Sequence, residues 1–312
     1  MTKKVNSVIL IVMIKTGLIV EGGGQKGAYS AGVLDAMLEE GISFDYNIGV
    51  SAGAANLTSF VAGQYRRNYR FYRYHSTDNN YMGLKCFLKN GSVFNLHYIY
   101  GTLSNEGGKD PVDYEYFKNN PTTFKIVTTD AQTGKPVYID KNQMEHNKYN
   151  ALMASSAVPV FCKPEEIDGK LYFDGGVSDS IPVQKALEDG CDKMVVILSR
   201  AKGYIKQPEK HHRIYKRILK KFPKIVKDID VRHIMYMKEL RLAEKLEQEG
   251  KVIIIRPSEK LDVNTFSDAG DSIDSLYKLG ISDFYAQIAR IKTFIPSVFK
   301  NKTLEPAHKM TV

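Results

Sequence analysis

The sequence predicts an α/β fold, a three-layer α/β/α sandwich around a central, mostly parallel sheet. Three observations carry this. Short apolar runs recur along the chain between turn residues, helix-period segments separate several of them, and two glycine-rich turns join a strand directly to a helix. Apolar runs that do not alternate with polar residues belong to strands covered on both faces, as in parallel sheets with helices above and below.

Residues 1–15, "MTKKVNSVILIVMIK", read as an N-terminal extension. Its seven apolar residues, 8–14, are far fewer than the roughly 20 that a spanning helix needs. The run imitates a signal-peptide core, but no small-residue cleavage site follows it, and the compact fold is expected to begin near Met13. The first strand is "GLIV" (17–20). A helix follows in "GAYSAGVLDAMLEEG", where Ala28, Ala31, Leu34, Met37 and Leu38 recur at helical spacing and Gly41 marks the stop. Further strands are expected at 46–50, 124–130, 170–174, 193–199 and 251–257. Residues 63–120, rich in Tyr, Asn and Gly, read as an irregular insertion over the sheet. "IPVQKALEDG" opens a helix near Pro182 and closes it at Gly190, and longer helical patterns cover about 231–249 and 272–293. The expected organisation is a core over 16–200, a basic segment and C-terminal elaboration of the same domain over 201–300, and a frayed tail over 301–312.

Composition narrows the function classes. Cys86, Cys162 and Cys191 are odd in number, widely spaced and without a C-x-x-C, which supports neither a zinc site nor a disulfide framework. A reducing, cytoplasmic setting is the corresponding expectation. The net charge of +9 is confined to one stretch: residues 200–224 hold ten Lys/Arg and one acid, and the rest of the chain is balanced. Such a block meets solvent, nucleic acid or an anionic membrane. A solvated loop and helix face ranks first, and peripheral contact with an anionic membrane, at the inner membrane face, comes next. "QYRRNYRFYRYHS" (64–76) interleaves arginines with aromatics, for which core packing ranks first, a lipid interface second and nucleic acid a distant third. No nucleic-acid partner is expected. No H-E-x-x-H or calcium-loop spacing occurs, so neither metal nor cofactor is expected.

The chemistry sits in three glycine turns. In "EGGGQKGAYSAG", Gly22, Gly24 and Gly27 spell G-x-G-x-x-G, a weak fingerprint shared by dinucleotide sites and any tightly packed strand–turn–helix. A dinucleotide site wants an acid closing the second strand to hold the ribose. That strand ends instead in "IGVSAGAAN", with Asp45 at its start. Here Ser51 stands between Gly49 and Gly53 as G-x-S-x-G, the spacing of a nucleophile elbow, in which a sharp turn exposes the serine and leaves no room for side chains two residues away. The first loop then reads as a source of backbone N–H groups beside a nucleophile, an oxyanion hole at Gly22, Gly23 and Gly24. The third turn, "KLYFDGGVSDSIPV", puts Asp174 at a strand end before Gly175 and Gly176, on the sheet edge expected for Ser51.

Together and in this order, over roughly residues 16–200, these motifs and "SSAVPVFCKPEEIDGKLYFDGGVSDSIPV" resemble the patatin-like phospholipase family. The resemblance implies a serine acyl hydrolase acting on carboxylic esters of lipids, with Ser51 as nucleophile and Asp174 taking its proton directly. Gly22, Gly23 and Gly24 would hold the oxyanion, with Lys26 and Gly27 in the same loop. At Lys26 the chain departs from the family's G-G-G-x-R-G arginine, keeping the charge and losing the planar fork. A histidine-assisted triad would recruit His211, His212 or His233, all of which follow Asp174. Two other readings stay open: an NAD- or FAD-dependent oxidoreductase using the first loop, and a non-catalytic lipid-binding module on the same fold.

Overall fold

A computed structural model describes residues 14–260 and 270–299. Of the expected extension over 1–15, residues 1–13 lie outside the described residues, as does the tail over 301–312, while Lys15 is tied to Asp189 and Asp192 beside β7. The strands are β1 (Thr16–Val20), β2 (Tyr46–Val50), β3 (Thr123–Asp130), β4 (Pro136–Asp140), β5 (Glu165–Ile167), β6 (Lys170–Asp174), β7 (Lys193–Ile197) and β8 (Val252–Ile255). They form one eight-stranded sheet in the order β5-β6-β3-β2-β1-β7-β8, with β4 also pairing β3. The pairings from β3 through β2, β1 and β7 to β8 are parallel, whereas β4, β6 and β5 pair antiparallel. The sheet is therefore parallel through its centre and antiparallel at one margin.

Strand alternation divides the apolar side chains between two cores. Leu18, Val20, Val195, Ile197, Ile253 and Ile255 face one; Ile19, Val196, Leu198, Val252 and Ile254 face the other. The first core is covered by α1 (Gly27–Glu39) and α2 (Ala52–Val61), the second by helices at Val183–Glu188 and Pro223–Gln248. Nearly all of α1 is buried, because the helix at Asp271–Phe294 lies across its outer side. The two meet backbone to backbone: a Cβ at Gly32 would run into the Tyr277 carbonyl, and one at Gly280 into that of Tyr29. Reciprocal bonds lock the crossing, from Tyr29 Oη to Asp283 Oδ2 (3.0 Å) and from Tyr277 Oη to Asp35 Oδ2 (2.9 Å).

Residues 63–120 are more ordered than the composition predicts. They hold short helices at Arg67–Arg73, Leu84–Asn90 and Tyr114–Asn119 and a π-helix at His97–Leu103. The arginine–aromatic stretch is mostly committed to structure. Arg67 is buried, bonded to Ser59 Oγ, Ser104 Oγ and the Asp110 carbonyl, Arg70 forms a bidentate pair with Asp110, and Arg73 pairs with Asp274. The three cysteines are buried and unpaired.

Candidate active site

The register of β3 brings the two principal candidates together. Val127 pairs with Val50 of β2 and with Tyr138 of β4; Thr128 pairs with Val137 of β4 and with Asp174 of β6. Each strand has two edges, so β2 and β6 share the edge opposite β4, one taking over where the other stops. Asp174, the last residue of β6, therefore arrives end-on at the turn that leaves β2. Its carboxyl comes near enough to the Ser51 hydroxyl for that hydroxyl to favour its charged form.

Ser51 sits at that turn with φ 52° and ψ −123°, a backbone conformation that costs an ordinary residue on the order of 1–3 kcal/mol. The surroundings enforce it. A Cβ at Gly49 would stand 2.7 Å from the backbone N of Ala54, and one at Gly53 2.6 Å from the Glu21 carbonyl, so elbow, α2 and β1 close on each other only through glycines. The Ser51 N–H donates to Ser155 Oγ at 2.8 Å, and Ser155 Oγ donates to the Val127 carbonyl at 2.7 Å. Ser155, from the helix at Asn150–Ser155, thus pins the elbow to β3.

The first glycine loop lies against this turn. A Cβ on Gly22 would fall 2.9 Å from the Val50 carbonyl and 3.1 Å from Ser51 Cβ. The N–H groups of Gly22, Gly23 and Gly24 donate to no acceptor among the described residues. The first N–H groups of α2, beginning at Ala52, are likewise left over by the helix. Glu21, buried just before the loop, accepts from Ser199 N at 2.6 Å, and Ser199 Oγ lies 3.2 Å from the Gly22 carbonyl. The ends of β1 and β7 are thereby tied together under the loop. Burial raises the pKa of the Glu21 carboxyl, against the lowering effect of the Ser199 bonds. Lys26 and Gly27 are buried at the start of α1, and Gly27 faces the Tyr72 hydroxyl. Asp45 is at the far end of β2, held by Thr16 N and Oγ1, so no acid stands where a ribose would lie.

Burial also raises Asp174, the largest influence on it. The Ser51 hydroxyl, the charge of Arg232 and the Gly176 N–H (2.7 Å to Oδ1) act the other way. A basic carboxylate that is still stabilised as an anion suits proton transfer from a hydroxyl. The turn after it is close-packed: a Cβ on Gly175 would meet the Val127 carbonyl, and Arg232 Nε donates to the Gly176 carbonyl at 2.5 Å. Sequence reasoning did not reach Ser155, Glu21 or Arg232. Ser155 lies within the "SSAVPV" run; Arg232 comes from the helix at Pro223–Gln248, 58 residues beyond Asp174, and no local signal marks it.

The histidines are elsewhere. His212 is engaged with Asp230 and Tyr215, His75 with Asp110, and His211 lines a cavity wall; no described histidine bonds to Ser51 or Asp174. His233 Nδ1 is buried without a partner. Among the described residues no His/Cys/Asp/Glu cluster could hold a metal, and no helix is long and apolar enough to cross a membrane.

Ser51, Asp174 and the glycine loop open into a cavity of about 870 Å³. Phe71, Tyr81, Phe94, Leu96 and Ile99 of the 63–120 region form an apolar wall, and the segment 200–211 forms a second, basic one. Phe161, Ile205 and Ile214 line the same cavity while remaining exposed to solvent.

A family model described as patatin-like phospholipase matches residues 18–187, and one described as a domain of unknown function (DUF6363) matches 222–296. An uncharacterized protein, YjjU of Escherichia coli (strain K12), is 28% identical over 185 residues, covering 59% of this chain and 51% of that protein. The uncharacterized NTE family protein Rv1063c of Mycobacterium tuberculosis (strain ATCC 25618 / H37Rv) is 25% identical over 169 residues, covering 54% of this chain and 44% of that protein. The chain thus spans about half the length of these curated relatives. The crystal structure of VipD from Legionella pneumophila superposes with a TM-score of 0.50 at 13% identity, over 89% of this chain and 67% of that one, which is a likeness of fold. Because the first model covers more than half of the sequence and includes all three glycine turns, the chain belongs to the patatin-like phospholipase family.

Proposed function

We propose that the protein is a serine acyl hydrolase that cleaves carboxylic esters of lipids through a Ser51–Asp174 dyad. The observation that carries this reading is the convergence of Ser51, on its strained elbow, and a buried Asp174 at the floor of a cavity with one apolar wall. Family membership supports lipid hydrolysis in general; the dyad and the substrate are the proposal.

Ser51 Oγ attacks the ester carbonyl while Asp174 accepts its proton. The carbonyl oxygen becomes an oxyanion facing the undonated N–H groups of Gly22–Gly24, where each fixed donor is worth roughly 10²–10³ in rate. Asp174 returns the proton to the departing alcohol oxygen, leaving an acyl ester on Ser51. Water then attacks that ester with Asp174 again as base, releasing the carboxylic acid and the free serine. The apolar wall holds the acyl chain out of water and the exposed Phe161, Ile205 and Ile214 at the cavity suit an aggregated lipid substrate.

The test is hydrolysis of a p-nitrophenyl ester and labelling by a fluorophosphonate probe, in wild type, Ser51→Ala and Asp174→Asn, with circular dichroism to confirm folding. Loss of turnover in both folded variants, and of labelling in Ser51→Ala, is expected. Full turnover by Ser51→Ala would refute the reading.

A further inference from the structure

The basic surplus of residues 200–224 is not spent uniformly on solvent. Arg213, Lys216 and Arg217 are exposed away from the cavity, but Arg200, Lys206 and the exposed Lys210 line its wall, where Arg232 joins them. Lys206 Nζ and Arg232 Nη1 each lie 3.8 Å from the same oxygen, Glu209 Oε1, so these two cations are no more than 7.6 Å apart. Both separations exceed hydrogen-bond length. Among the described residues, Lys206 Nζ and the Arg200 guanidinium have no hydrogen-bond acceptor; they rest over the rings of Tyr236 and Tyr204 instead.

The burial order is the reverse of an ordinary surface pair. The side chain of Lys206 is 14% exposed and that of Arg232 30%, while their shared carboxylate, Glu209, is 40% exposed. Glu21, which acts on Lys206 and is acted on by Arg200, is buried, and burial raises its pKa. Lys206 and Arg232 therefore share one loosely placed, outward-lying carboxylate, while Arg200 acts on Glu21 and Arg232 also on Asp174 and Glu239. Lys206 registers the deficit: burial, then the positive charge of Arg232, pull its pKa down to about 8, with Arg200 adding to them and Glu209 and Glu21 opposing. Two cations without a hydrogen-bond acceptor, Arg200 and Lys206, standing with Arg232 in the wall of this cavity, offer a site for an anion.

Its distance from the chemistry is set by Gly176. Arg232 donates to the Gly176 carbonyl, and the Gly176 N–H donates to Asp174. An anion held by Arg232 and Lys206 is consequently only one small linker away from an ester carbonyl at Ser51. The wall from 63–120 supplies Phe71, Tyr81, Phe94, Leu96 and Ile99, and that from 200–232 supplies the cations together with Ile205 and Ile214, so a chain-bearing ester has apolar surface beside the wall that would take its anionic group.

We propose that Arg200, Lys206 and Arg232 form a phosphate-binding subsite that selects esters carrying an anionic phosphoryl group one glycerol unit from the scissile bond. The inference rests on the hydrolase reading above. Its chemistry disfavours headgroups with a compensating ammonium, which would face three cations. The occupant is the phosphoryl group of an anionic lipid or, by the same chemistry, free phosphate.

The experiment has two arms. The first compares kcat/KM for a 1-acyl-glycerol 3-phosphate and for the monoacylglycerol with the same chain, in wild type, Lys206→Met and Arg200→Met. The phosphorylated substrate is expected to be preferred by wild type, and the ratio to fall about tenfold in each variant, the loss of one charge-assisted contact. The second measures the shift in Tm of Ser51→Ala produced by inorganic phosphate at constant ionic strength. The shift is expected to vanish in Ser51→Ala/Lys206→Met. If the ratio holds while the phosphate shift is lost, the subsite stands with free phosphate as its occupant. If both are indifferent to Lys206 and Arg200, the subsite is overturned. If wild type cleaves neither ester, the hydrolase reading fails and the thermal arm alone decides the subsite.

Discussion

Replacing Ser155 by alanine tests whether the nucleophile elbow is held in place from outside. Ser155 is fully buried, accepts the Ser51 N–H at 2.8 Å and donates to the Val127 carbonyl at 2.7 Å. Its removal leaves the Ser51 N–H as a buried donor without a partner and deletes one neutral bond. Together these cost about 2–4 kcal/mol. The strain stored at Ser51, with φ 52°, is on the order of 1–3 kcal/mol, so the restraint removed is comparable with the strain it opposes. The elbow should therefore relax as well as the protein weaken. Urea unfolding should show the stability loss. Under conditions where the variant remains folded, fluorophosphonate labelling of Ser51 should slow at least tenfold, with KM for a soluble ester little changed. Labelling within twofold of wild type, together with a stability loss under about 0.5 kcal/mol, would show that the elbow is self-supporting and the reasoning wrong.

Gly22→Ala would place a Cβ 2.9 Å from the Val50 carbonyl and 3.1 Å from Ser51 Cβ; the loop must back away, and ester turnover should drop on the order of 100-fold, whereas turnover close to wild type would remove the loop from the reaction. Arg232 holds the Asp174 pKa down against burial, so in Arg232→Gln the acid limb of the pH–rate profile should move to higher pH; an unmoved or lowered limb contradicts the assignment of Asp174 as base. Two other buried carboxyls are raised mainly by burial, Asp35 to about 7 and Glu239 to about 8. Groups raised in the folded state impose no penalty below their ordinary pKa and an increasing one as pH climbs through the raised value. Stability should therefore decline between about pH 4.5 and 8, and Glu239→Gln should flatten the upper part of that decline in denaturant midpoints taken at pH 5.5 and 8.5. An equal decline in wild type and variant would show that the cost lies elsewhere.

The parallel half of the sheet is legible in the sequence because its strands are buried on both faces. The runs at 46–50 and 170–174 coincide with β2 and β6, and those feeding β1, β3, β7 and β8 agree within two residues. Of the antiparallel strands only β6 is legible, and β4 and β5 are not. Pro136–Asp140 is half-buried, and Glu165–Ile167 is a three-residue strand with two acids, so pairing rather than composition makes them strands. The helix at Pro223–Gln248 starts eight residues before the pattern suggests, since Lys224, Lys227 and Asp228 interrupt the apolar face made by Ile225, Val226 and Ile229; Pro223 at its first position was the available signal. The candidate site divides in the same way. Ser51, Asp174 and the glycines are legible because tight turns demand particular residues at fixed spacing. Ser155, Arg232 and Lys206 are ordinary residues in their own neighbourhoods and acquire meaning only where distant segments meet.

The crossing of α1 by the helix at Asp271–Phe294 has a consequence for how the protein is made. The glycine loop hangs from the N-terminus of α1, yet the bonds that clamp that helix join residues 254 and 242 positions apart. At a synthesis rate of ~5–20 residues per second, α1 waits on the order of tens of seconds for its outer cover. During that interval its buried side faces the ribosome exit or a chaperone. The glycine loop should acquire its final rigidity among the last events of biogenesis, and a chain released before that helix should be a client for proteolysis rather than a smaller working protein. The regions matched by the two family models are, on this account, obligate partners in one act of folding.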